Sequence, residues 1–144
     1  MRRLLILIPG WFLFGASLAA EVPVLVYHDI RDVPDVDEYV VTTRMFREQM
    51  AFLKQQGYQP VSLGRFAEAA AGKAALPAKP VMLSFDDGLV SFYSIALPVL
   101  EEHGFPAILS VSTGWLDGRR VPADYRDRLL SWDQLRAVSR SPLV

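Results

Sequence analysis

The sequence predicts an α/β fold with parallel strands, and three observations carry that prediction. Short apolar, β-branched runs alternate with helical stretches along the chain. The run Val81-Met82-Leu83-Ser84-Phe85 is almost wholly apolar, as a strand covered on both faces must be. Two adjacent carboxylates, Asp86 and Asp87, stand at its carboxyl end, where α/β proteins place ligands.

The first twenty residues read as an address rather than as part of the fold. Arg2 and Arg3 give a positive start, Leu4 to Leu18 is apolar, and Ser17-Leu18-Ala19-Ala20 offers small residues for cleavage. Residues 1–20 are therefore expected to be a signal peptide, with the exported chain running over 21–144. The apolar stretch is short of the roughly 20 residues that span a bilayer, and Pro9-Gly10 interrupts it. An uncleaved membrane anchor is the alternative, so periplasmic, extracellular or envelope-associated localisation is expected.

Val22 to His28 predicts a buried strand ending near His28. Asp29 to Tyr39 is acidic, contains Pro34 and reads as a loop. Thr43 is placed to cap a helix from Arg44 to about Gln56, with Phe46, Met50 and Leu53 on one apolar face. Gly57 ends it. A short strand is expected at Val61 to Leu63 and an Ala-rich helix at Phe66 to Ala71, stopped by Gly72. After the strand at 81–85, a helix is expected from about Ser94 to His103, with Pro98 in or near its first turn. Ala107 to Ser112 is the next strand. Gly114 to Leu130 reads as a polar loop containing Trp115. Ser131 and Gln134 form a capping box for a last helix. Three or four parallel strands are few for this class, so the 144 residues are expected to be the front part of a larger domain.

Composition narrows the function. Fifteen basic residues face sixteen acidic ones, a net charge of −1, which leaves no basic excess to neutralise phosphates. A nucleic-acid partner is thereby disfavoured. Cysteine is absent, which removes disulfides, thiolate zinc sites and a thiol nucleophile. His28 and His103 are the only histidines, so a His-rich metal site cannot be built from this sequence alone.

Ser84-Phe85-Asp86-Asp87-Gly88 is the sharpest chemical feature. Neighbouring strand residues point to opposite faces, so both acids reach one site only where the strand breaks, and Gly88 permits a break. Two carboxylates so close repel, and one pKa rises unless a positive group intervenes. A divalent cation is the simplest remedy, with the free acid acting as a general base toward water. An exposed Asp-Asp-Gly turn is the plain alternative, and these residues alone leave both open. His28 shares the expected rim with Asp86, as a substrate-binding or a purely structural residue. His103 suits the last turn of a helix. Trp115 fits a sugar groove or simple packing equally well.

The chain resembles polysaccharide deacetylases of the NodB-homology type, carbohydrate esterase family 4. Ser84 to Gly88 is similar to that family's first motif. Pro23 to Ile30, the helix from Phe46 to Tyr58, and Leu97 to Ala107 resemble its flanking segments. Tyr27-His28-Asp29-Ile30 and Leu130-Ser131-Trp132-Asp133-Gln134-Leu135 look most like the exported deacetylases of poly-β-1,6-N-acetylglucosamine. The resemblance implies the N-terminal portion of a distorted (β/α) barrel and a polysaccharide substrate. It also implies a divalent metal, zinc or similar, that polarises the acetyl carbonyl. By motif, Asp86 matches the general base and Asp87 a metal ligand. His28 matches a substrate-side position by the active site. The family's two histidine ligands come from a His-Ser/Thr-x-x-His motif that this sequence does not contain. The fragment as written is accordingly expected to be inactive and poorly folded. The alternative function is a non-catalytic carbohydrate-binding module of the same fold. A phosphoryl-transfer enzyme is disfavoured by the lack of a Gly-rich phosphate loop.

Overall fold

The computed structural model describes residues 21–33 and 38–144, so the expected signal peptide lies outside the described residues. The central element is β5, Pro80–Phe85, a parallel strand with neighbours on both sides. Its even residues serve β1 (Val24–Tyr27): the Met82 N–H donates to the Pro23 carbonyl and the Asp86 N–H to the Tyr27 carbonyl, each at 2.9 Å. Its odd residues serve the opposite side. The Lys79 and Val81 carbonyls accept from β4 (Gln59–Pro60) and its successor Val61, and the Phe85 carbonyl accepts from Ser110, just after β6 (Ile108–Leu109). Thus β4 and β6 lie one after the other along the same edge of β5.

Helices cover one face of this sheet. In α1, Thr43–Gln55, the buried side chains are Phe46, Met50 and Leu53, the stripe expected from their spacing. The cap, however, is Thr42, whose Oγ1 accepts the Met45 N–H at 3.1 Å; Thr43 is already inside the helix. Gly57 takes φ +73°, and the Tyr58 N–H returns to the Leu53 carbonyl at 2.9 Å. Helix α2, Leu63–Ala70, starts three residues earlier than its composition suggests, because the Ser62 hydroxyl caps it. The strand expected at Val61 to Leu63 is not found there; the short β4 lies just before it, at Gln59–Pro60.

Helical structure also begins early after β5. A π-helical turn, Phe92–Ala96, runs into α3, Leu97–His103, so Pro98 has its expected place in the first turn of α3 while helical structure already precedes it. The wide turn reconciles the two: the Leu97 N–H reaches back five residues to the Phe92 carbonyl, shifting the register before the ring that has no N–H to give. Then come the short α4 (Thr113–Leu116), a 3-10 turn (Ala123–Tyr125) and α5 (Trp132–Val138). The capping box of α5 has both its bonds, at 3.2 Å and 2.8 Å.

The core is an aromatic stack. Phe85 lies on Tyr27 with ring centroids 5.1 Å apart, and Phe46 and Phe92 meet it edge-on at 5.8 and 4.9 Å. Alternation sends Tyr27 and Phe85 into this core, and the residue after each, His28 and Asp86, to the other face. Strand β1 is not buried throughout as expected. Val24 and Val26 are 50% and 53% exposed, on the sheet face that the helices do not cover. Asp29–Ile30, read as loop, forms a short strand, β2, that pairs in parallel with β3, Val40–Val41, just past the expected loop.

Candidate active site

The rim of the sheet is where the chemistry-bearing residues meet. Tyr27 and Phe85 are paired in register, so His28 and Asp86 leave adjacent strands side by side. Asp86 is half-buried, and its Oδ1 accepts the Ser84 hydroxyl at 3.2 Å. The backbone then turns sharply, at φ +71° for Asp87 and +77° for Gly88. The break expected at Gly88 thus involves Asp87 as well. Aspartate tolerates the left-handed region better than most residues with a Cβ, though at a cost. Gly88 has a second reason to lack a side chain. A Cβ there would stand 3.0 Å from Val111 Cγ1.

Electrostatics group the same three residues. Burial raises the Asp87 carboxyl above its ordinary value, the nearby His28 pulls it down, and Asp86 adds to the rise. The like-charge repulsion anticipated for the pair is therefore present, but burial is the larger cause. His28 meets Tyr39 edge-on at 5.1 Å and borders a cleft of about 300 Å³ with Glu38, Tyr39 and Gln49. A cleft of about 600 Å³ adjoins it, between Tyr39, Tyr125 and Arg128. A larger apolar cleft of about 680 Å³ is lined by Leu25, Tyr27, Met45 and Phe52 and holds neither acid.

Other candidates fall elsewhere. Trp115 packs against Tyr125 at 5.7 Å, and His103 stacks on Phe105 at the end of α3. A buried polar cluster beside the rim has no signal in the sequence: Asp29, only 4% exposed, is bound by Ser91 and Arg128, with Arg31 close by. A buried acid needs a cation, but nothing local says which of the fifteen basic residues supplies it.

Catalytic zinc sites take three protein donors. Among the described residues no group of three or more His, Cys, Asp or Glu is placed to hold a metal ion. The residues present do not by themselves fit a complete metal centre.

The sequence pattern of polysaccharide deacetylases matches residues 73–143, which include the acid pair. The chain is also 36% identical over 146 residues to the poly-beta-1,6-N-acetyl-D-glucosamine N-deacetylase of Escherichia coli (strain K12), covering 89% of this chain and 21% of that protein. Both comparisons thus give the same similarity, to polysaccharide deacetylases. A solved de-N-acetylase from Aggregatibacter actinomycetemcomitans matches with a TM-score of 0.75 and 29% identity, over 85% of this chain and 52% of that one. IcaB from Ammonifex degensii matches with a TM-score of 0.69 and 30% identity, over 85% and 51%. The chain spans about a fifth of the curated relatives it matches and about half of the solved chains. Its sheet and helices are a partial barrel of the deacetylase type, as expected from the sequence.

Proposed function

We propose that this chain carries part of the active site of a hydrolase that removes acetyl groups from N-acetylglucosamine polymers of the poly-β-1,6 kind. One observation carries the reading: the left-handed turn at Asp87 and Gly88 sets two acids beside His28 on one rim of the sheet. In this reading Asp86 is the general base. It takes a proton from water as the oxygen attacks the acetyl carbonyl carbon. The C–N bond then breaks as the nitrogen takes up that proton, and acetate and the sugar amine are released. His28 contacts the sugar from the neighbouring strand. The adjoining cleft at Tyr39 offers room and an aromatic face for further sugar units.

A divalent metal belongs to the proposal through the family, where it polarises the acetyl carbonyl. Asp87 is proposed as one donor, and no step is derived through the ion because the donor set is incomplete among the described residues. Export to the cell envelope is likewise proposed, on the leader read in residues 1–20.

The incomplete donor set is also what favours the second reading, a module that binds sugar without turning it over. Acetate release from poly-β-1,6-N-acetylglucosamine oligomers by the full-length gene product separates the two. Asp86→Asn should lower kcat/KM by about 10²- to 10⁴-fold, the usual range for a lost general base. Undiminished activity in that variant ends the assignment of Asp86. Metal-independent oligomer binding with no turnover by the unaltered protein establishes the binding module instead.

A further inference from the structure

The turn that aims the acids does not hold itself. Two successive left-handed residues, one with a Cβ, persist only where neighbours over-determine them. Upstream, the sheet does this, through the Asp86 N–H on the Tyr27 carbonyl. Downstream, the partners come from outside the sheet. The Leu130 N–H donates to the Gly88 carbonyl at 2.9 Å, and the Val90 N–H donates to the Arg128 carbonyl at 2.6 Å. Leu89 and Leu129 form an antiparallel bridge between them. Arg128 to Leu130 therefore splints Gly88 to Val90.

This splint ends a stretch, residues 117–130, whose only helical element is the short 3-10 turn. Such segments open readily unless tied down. The tie is the Arg128 guanidinium. It pairs with Asp29 Oδ2, its Nε donates to the Asp124 carbonyl at 2.7 Å, and its carbon lies 5.3 Å from the Tyr125 ring centroid. Asp29 is in turn held by Ser91, whose hydroxyl donates to Oδ1 at 2.7 Å and accepts the Ile30 N–H at 3.2 Å. Arg31 Nε stands 3.1 Å from Oδ2. Asp29 directly follows His28, and Ser91 directly follows Val90. One buried carboxylate thus joins the segments that carry the histidine, the acid pair and the splint.

We propose that Arg128 is a positioning residue for the acid pair. Anchored on Asp29, it presses Leu129 and Leu130 against the Asp87–Gly88 turn and keeps that turn and His28 in one fixed relation. The activity consequence rests on the deacetylase reading; the structural consequence does not.

The test uses Arg128→Gln and Arg128→Lys in the full-length gene product. Amide hydrogen exchange is read at Val90 and Leu130, with Met50 in α1 as the control. In Arg128→Gln, exchange at Val90 and Leu130 should rise at least about tenfold with Met50 unchanged, as local opening requires. In the same variant kcat for acetate release should fall at least about tenfold with KM within about twofold, because alignment rather than binding is lost. Arg128→Lys, which keeps a charge for Asp29, should recover part of both. Wild-type exchange at Leu130 in a folded Arg128→Gln variant, or a lysine variant no better than the glutamine one, overturns the proposal. Should Arg128→Gln fail to fold, Asp29→Asn, which keeps an acceptor for Ser91, decides by the same exchange readout, with unaltered exchange again fatal. A wild-type protein that releases no acetate refutes the deacetylase reading, and the exchange result then judges the splint by itself.

Discussion

Asp87 carries two penalties at once, a left-handed backbone and a carboxylate whose ionisation is opposed by burial. Its folded pKa is raised above the unfolded value, so the folded state binds a proton more readily than the unfolded one. The contribution of this group to stability is therefore full below the ordinary carboxylate range and is lost as pH rises through the raised value. Asparagine keeps the tolerance for the left-handed region and removes the charge. In metal-free protein with EDTA present, Asp87→Asn should raise Tm at pH 7, and the gain should vanish as pH falls below the ordinary carboxylate range. Thermal melts at both pH values check this. A variant less stable than wild type at neutral pH contradicts it. A residue that costs stability where it stands is the pattern expected of a functional position.

Among the elements, helix boundaries were legible to within a few residues, and the misplacements have local causes. Two adjacent threonines, Thr42 and Thr43, stand at the start of α1, and either fits a cap by composition. Only the Thr42 hydroxyl reaches a free N–H, that of Met45. Thr42→Ala should cost about 1 kcal/mol, the usual worth of such a cap, while Thr43→Ala should change stability by less than about 0.5 kcal/mol. Chemical denaturation of both variants distinguishes them. The early start of the helical stretch around Pro98 was not legible, because a π turn has no compositional signature. It is a response to packing Phe92 and Ala96 into the core while leaving a place for the proline. The apolar stripe of α1 and the almost wholly apolar β5 were read correctly, since each needs only a period and a burial rule.

At the scale of the whole molecule, β5 is covered on both faces and β1 on one. Val24 and Val26 lie open on the uncovered face, on an edge strand with a free side among the described residues. Open apolar edges of this kind promote association. The 144-residue chain is expected to show concentration-dependent association, and Val26→Lys should reduce it while shifting stability by no more than about 0.5 kcal/mol, as surface changes do. Sedimentation across a concentration series, beside thermal melts, tests both halves of that statement. Among the described residues, no helix is long and apolar enough to cross a membrane.

The amino-acid sequence alone determined the α/β class, the central buried strand, the apolar face of the first long helix, the capping box of the last, and the acid pair at a strand end. Each is written within a few neighbouring residues, as a period, a cap or a motif, and local chemistry suffices to read it. Tertiary structure alone decided that Asp87 itself takes the left-handed turn, that β1 keeps one face open, and that Arg128 finds Asp29 across 99 positions of sequence. Charge pairing and strand coverage depend on which segments the folded chain brings together. No short window of sequence contains both partners.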